Sequence, residues 1–129
     1  MKKLLLLAII LIGCSFIKTN VSAQDNNQHG KQLNRILIFT FKPEAPADSI
    51  KLVDNVFVEI SKLPVIKSFT IGVEKESDKK PKSIKHIYML GFETEQDIEN
   101  YAKSQQHKNL FKFTKLISGY KIFDYWTEN

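Results

Sequence analysis

Arg35-Ile36-Leu37-Ile38-Phe39-Thr40-Phe41-Lys42, closed by Pro43, is a run of β-branched and aromatic residues whose N–H ladder must stop at the proline, so it predicts a strand. Alternation places Leu37, Phe39 and Phe41 on one face and Ile36 and Ile38 on the other. A strand that is apolar on both faces is expected to be buried on both. Whatever sheet it joins therefore needs a cover on each side.

Downstream, Pro43-Glu44-Ala45-Pro46 breaks the strand. From Ala47 apolar residues recur at Ile50, Val53, Val56, Phe57, Ile60 and Leu63, one helical stripe that Pro64 ends. Asp48 falls in the first turn, where a negative charge suits the positive end of the helix dipole. Phe69, Ile71 and Val73 then alternate with Ser68, Thr70 and Gly72 as a second strand. A charged, proline-containing loop from Glu76 to Ser83 leads into a third strand, Ile84 to Glu93, with His86, Tyr88, Leu90 and Phe92 on one face and Ile87 and Met89 on the other. Thr94-Glu95-Gln96-Asp97 fits a capping box opening a helix that turns Ile98, Tyr101 and Ala102 inward. A further helical stretch from His107 is expected to bury Leu110, Phe111, Thr114 and Ile117 and to close at Gly119 in a left-handed conformation. Tyr120 to Trp126 makes the last strand.

The order is β-α-β-β-α-β, an α+β, ferredoxin-like arrangement in which a four-stranded antiparallel sheet carries its helices on one face. Large apolar side chains on the uncovered face are not left bare in water as a patch of several hundred Å². A second copy packed sheet to sheet across a two-fold axis hides them, so a homodimer forming an α/β barrel is expected.

Upstream of Arg35 the chain changes character. Met1-Lys2-Lys3 and the apolar run from Leu4 have the form of a signal peptide, residues 1–23, ending in Val21-Ser22-Ala23. The apolar stretch from Leu4 to Ile17 is shorter than the ~20 residues a bilayer span needs. Leu11-Ile12-Gly13-Cys14 also resembles a lipobox, so two processing routes stand open. Cleavage after Ala23 gives a periplasmic or secreted protein; lipidation at Cys14 gives a membrane-tethered one. The small-x-small ending favours the first. Residues 24–34, with a single leucine, read as a flexible leader, and residues 35–129 as the one folded domain. The formal charge of +5 includes Lys2, Lys3 and Lys18; without them sixteen basic residues face fourteen acidic ones, +2, too little for a nucleic-acid surface. No cysteine remains in the domain to form a disulfide.

Several of these stretches, in this order, resemble the stress-responsive A/B barrel domain family of dimeric α/β-barrel proteins. They are Ile36 to Lys42, Leu63-Pro64, Gly72, His86 to Glu93, Tyr101, His107 and Phe123-Asp124-Tyr125. The resemblance implies a homodimer and a cavity between sheet and helices that in some members takes a small organic ligand. It also implies that Tyr101 and His107 stand where polyketide-cyclising members keep an acid/base pair. Where the family often reads His-Pro-x-His, this chain reads Ser104-Gln105-Gln106-His107.

Two functional readings follow. In one, the exported dimer binds a small apolar ligand in a cavity lined by His86, Tyr88, Phe39 and Phe111. In the other, it is a cofactor-free enzyme of polyketide-cyclase or monooxygenase type, with His107 as base and Tyr101 as proton donor. For each residue packing offers the plainer account: His107 capping a helix or anchoring a loop, Tyr101 and the phenylalanines filling the core, His86 meeting a carbonyl. His29, His86 and His107 have no cysteine or carboxylate at ligand spacing, so no metal is expected, and no motif calls for a cofactor.

Overall fold

The computed structural model describes residues 31–75 and 84–128. The expected signal segment with Cys14, the leader as far as residue 30 with His29, and the loop over 76–83 lie outside the described residues. Strand β1 spans Leu33–Phe41, helix α1 Ala47–Ser61, strand β2 Ser68–Val73, strand β3 Ile84–Phe92, helix α2 Glu95–Lys103, a short helix α3 Gln105–Lys108 and strand β4 Ile117–Trp126. The sheet runs β2-β3-β1-β4 with every neighbour antiparallel, which is the ferredoxin-like order.

β1 begins two residues before the expected boundary. Leu33 pairs with Phe92 and Trp126 and is buried in the core, and the Asn34 side chain donates to the Gln32 carbonyl at 3.1 Å. Both residues therefore belong to the domain rather than to the leader. At the same end of the sheet, Gln32 reaches across Gly91 to donate to Ser68 Oγ at 2.6 Å. A Cβ at Gly91 would meet the ends of the Gln32 and Ser68 side chains and break their contact by pushing them aside.

α1 follows its predicted stripe, burying Ile50, Val53, Phe57 and Ile60. Each such side chain contributes about 1.5–3 kcal/mol of apolar transfer. With these four, the core takes in Leu33, Leu37, Phe39 and Phe41 from β1 and Tyr88, Leu90 and Phe92 from β3. The capping box of α2 is present, with Asp97 N–H donating to Thr94 Oγ1 at 3.1 Å and Thr94 N–H donating to Asp97 Oδ2 at 3.2 Å. Of its expected inner residues Tyr101 is buried and Ile98 packs against the core, whereas Ala102 faces solvent.

The segment after α3 departs from expectation. Asn109–Leu116 winds as a 3₁₀ helix, three residues per turn, so its inward positions are Leu110, Phe113 and Leu116. Phe111, expected inside, is 63% exposed, and Thr114 is exposed as well. Gly119 is not a helix cap. The Leu116 carbonyl accepts from Lys42 N–H at 2.8 Å, which starts β4 at Ile117, and Gly119 pairs with Thr40 inside the strand. A bulge at Ser118 absorbs the register shift, its hydroxyl donating to the Thr40 carbonyl at 3.2 Å.

Candidate functional site

The helix-facing side of the sheet carries two clusters of polar side chains, one toward each end. The first forms where β3 and α1 meet. Asp54, half-buried on α1, accepts from the Tyr88 hydroxyl at 2.6 Å and contacts His86 Nδ1 at 2.8 Å through the same oxygen. Burial, followed by the bond to Asp54, holds the Tyr88 phenol far above its ordinary pKa. Phe57 stacks on Tyr88 with ring centroids 3.7 Å apart, Phe39 meets both edge-on, and Phe41 meets His86 at 5.4 Å. Every polar atom named here has a partner and the rings are closely packed. His86, Tyr88 and Phe39 thus stand together as part of the core, tied to α1 by a carboxylate.

The second cluster holds Tyr101 and His107. Ser104 joins them: its hydroxyl donates to the Tyr101 carbonyl at 2.6 Å and accepts from His107 N–H at 3.1 Å, capping α3. The turn so formed sets the Tyr101 and His107 rings edge to face at 4.9 Å, and Phe111 lies 5.6 Å beyond His107. Phe92 backs the Tyr101 ring at 5.6 Å. His107 is not itself the cap; Ser104 has that task.

Two buried polar atoms in this cluster lack a hydrogen-bond partner among the described residues: the Tyr101 hydroxyl and His107 Nδ1. Buried groups of this kind are almost always paired, and leaving one unpaired costs about 1–3 kcal/mol. Burial, with a push from Asp124 against an opposing pull from Arg35, drives the Tyr101 phenol up to about 12, so it is a protonated donor at neutral pH. Burial lowers the His107 pKa, opposed by a backbone hydrogen bond to Ala102, so the imidazole tends to the neutral form. The rings that carry these two unpaired atoms lie 4.9 Å apart.

Beside them lies an ion pair that inspection of the sequence did not single out. Arg35 stands in the helix-facing row of β1 between Leu33 and Leu37, and its cross-strand partner on β4 is Asp124. Nε donates to Oδ1 and Nη2 to Oδ2, both at 2.8 Å, a bidentate fork. That bond to Asp124 is the main reason the Arg35 pKa is raised. On the same face of β4, Ile122 and Trp126 flank Asp124 and are 44% and 45% exposed, an apolar border open to solvent. A charged residue in an otherwise apolar strand row is a signal that a sequence does carry. Which residue answers it, 89 positions away, is a matter of register.

The described residues hold no group of three or more His, Cys, Asp or Glu side chains placed to bind a metal ion, and no helix among them is long and apolar enough to cross a membrane.

Fold and site together define a ferredoxin-like α+β domain with a Tyr–His pair beneath its second helical region. Residues 33–127 match the model of the stress responsive A/B barrel domain, and the chain belongs to that family. Among curated proteins none matches the chain significantly by sequence. Similar solved structures include a hydroxynitrile lyase from Passiflora edulis (15% identity, 76% of this chain and 94% of the other, TM-score 0.65). A dimeric protein of unknown function with a ferredoxin-like fold from Bacteroides fragilis is another (19%, 73% and 94%, 0.56). A third is a family member with a ferredoxin-like fold from Mesorhizobium loti (11%, 77% and 99%, 0.62). At these identities the likeness is one of fold.

Proposed function

We propose that the protein is exported, pairs with a second copy through its open sheet face, and binds a small, largely apolar molecule beside Tyr101 and His107. The observation that carries the ligand reading is the pair of orphaned buried atoms, Tyr101 Oη and His107 Nδ1, on the side of the sheet where β4 also leaves Ile122 and Trp126 exposed. A bound molecule with one polar group supplies both missing hydrogen bonds and covers the apolar border. Export rests on residues 1–23, and pairing on the dimeric relatives and the uncovered face.

Tyr101→Phe separates binding from folding. It deletes an unpaired hydroxyl, so the free protein should be unchanged or stabilised by about 1 kcal/mol in urea unfolding. The small molecule that native mass spectrometry is expected to find on protein purified from its own host should be lost. Wild-type protein that carries no ligand, together with a Tyr101→Phe variant clearly less stable than it, would refute the reading. The mass of the same sample reports whether the chain starts at Gln24 or carries lipid on Cys14.

The second reading is a cofactor-free enzyme, favoured by the protonation states: a neutral imidazole with an open Nδ1 can take a proton while the Tyr101 phenol donates one. The hydroxynitrile lyase among the structural neighbours shows that this scaffold houses catalysis in at least one protein. Turnover of the host ligand, abolished by His107→Leu while binding persists, distinguishes the enzyme from the carrier.

A further inference from the structure

Every other residue from Leu33 to Phe41 in the helix-facing row of β1 is a buried apolar side chain, and into that row Arg35 brings a full charge, 18% exposed at its side chain. A charge so placed is costly unless paired. Asp124 pairs it, engaging Nε and Nη2 with both carboxylate oxygens. Tyr101 packs on Phe92, which lies across the ladder from Leu33, the neighbour of Arg35 in the same row, and His107 packs on Tyr101, so the ion pair and the two orphaned atoms share one region of the helix-facing side. The other cations on α2 and α3, Lys103 and Lys108, are exposed and screened by water.

The formal charges at the site therefore cancel. A ligand carboxylate would find the fork side of the guanidinium already filled and Asp124 facing it with like charge. Hydrogen-bond chemistry points the same way. A hydroxyl both accepts and donates, so it serves the Tyr101 phenol and a neutral His107 together, whereas a carboxylate only accepts.

We propose that the Arg35–Asp124 pair determines the charge of the ligand: the site takes a neutral, hydroxyl-bearing apolar molecule and rejects the corresponding carboxylate, because Asp124 occupies the guanidinium that would otherwise hold the anion. This rests on the ligand-site reading above and adds a selection rule to it. Asp124 is then a specificity-determining residue that need not touch the ligand.

The test uses 4-methylphenol and 4-methylbenzoate, which share ring and methyl group and differ in charge at neutral pH. Trp126, the single tryptophan of the chain and two residues from Asp124 on the same strand face, reports binding by fluorescence. In the protein as its host processes it, the phenol should bind at least about tenfold more tightly than the benzoate. Asp124→Asn should raise benzoate affinity about tenfold or more, and adding Arg35→Gln to that variant should restore the preference for the phenol. Binding of neither probe to any of the three proteins overturns the ligand site and this rule with it. Binding of both probes with equal affinity to wild type, or a preference that Asp124→Asn leaves untouched, overturns the rule alone. Should Asp124→Asn fail to fold, the wild-type comparison decides.

Discussion

Among single residues, His107 has the most distinctive environment. Its folded pKa lies below the ordinary value of 6.5, chiefly because burial disfavours the imidazolium. The unfolded chain therefore takes up a proton first as pH falls. The stability tied to this residue is whole above the unfolded pKa and is lost as pH drops through that value toward the folded one. Urea unfolding at stepped pH should show a decline on the acid side of 6.5 that His107→Leu flattens. An unchanged slope in the variant would assign the decline to other groups. That His107 carries a group titrating near neutral pH was legible from residue type, whereas its pairing with Tyr101 was implied by the family resemblance and not by the residues themselves. The orphaned state of Nδ1 was not legible, because it depends on how α2, α3 and the sheet pack around the ring, which the sequence does not spell out.

At the level of elements, hydrophobic spacing read β1, α1, β2, β3 and α2 well because each has a period long enough to count. α1 repeats its stripe over fifteen residues. The 3₁₀ segment has eight, over which a period of 3.0 and one of 3.6 differ by little more than one position. Phe111 was accordingly expected inside and Phe113 went there. Gly119 was misplaced for a related reason: glycine marks a helix end only if the helix runs up to it, and β4 had already started two residues earlier. Asp54 escaped notice because a carboxylate between Val53 and Val56 reads as the outer side of the helix. It proves to be the link between α1 and β3. Asp54→Ala leaves the buried Tyr88 hydroxyl without its acceptor and removes the partner of His86 Nδ1, so a loss of about 2–4 kcal/mol in global stability is expected. Val58→Ala, on the outer side of the same helix, should cost well under about 1 kcal/mol. Equal effects would mean that the polar link contributes nothing beyond side-chain volume.

For the molecule as a whole, the decisive feature is the face that the helices leave open. Ile36 pairs there with Phe123 and Met89, and Ile38 with Ile87, while Tyr125 stands opposite Asn34. Phe123 is 52% exposed, so nothing among the described residues covers the centre of this face. Charge enters only at one end, through Lys121 opposite Ile38 and Lys85, the latter 3.5 Å from Glu74. A two-fold axis through such a face brings apolar centre onto apolar centre and keeps the lysines toward the rim, whereas a monomer would have to hydrate the whole of it. Ile36→Glu places a carboxylate between Met89 and Phe123 at the middle of that contact, and its burial between two sheets is too costly to sustain pairing. Light scattering coupled to gel filtration should therefore give twice the chain mass for wild type and the single-chain mass, or aggregate, for Ile36→Glu. Val58→Glu, which adds the same charge to the outer face of α1, should remain a dimer. A wild-type protein that stays soluble at single-chain mass at micromolar concentration would show that this sheet face tolerates water, and the barrel would have to be given up while the ligand site on the other face could stand.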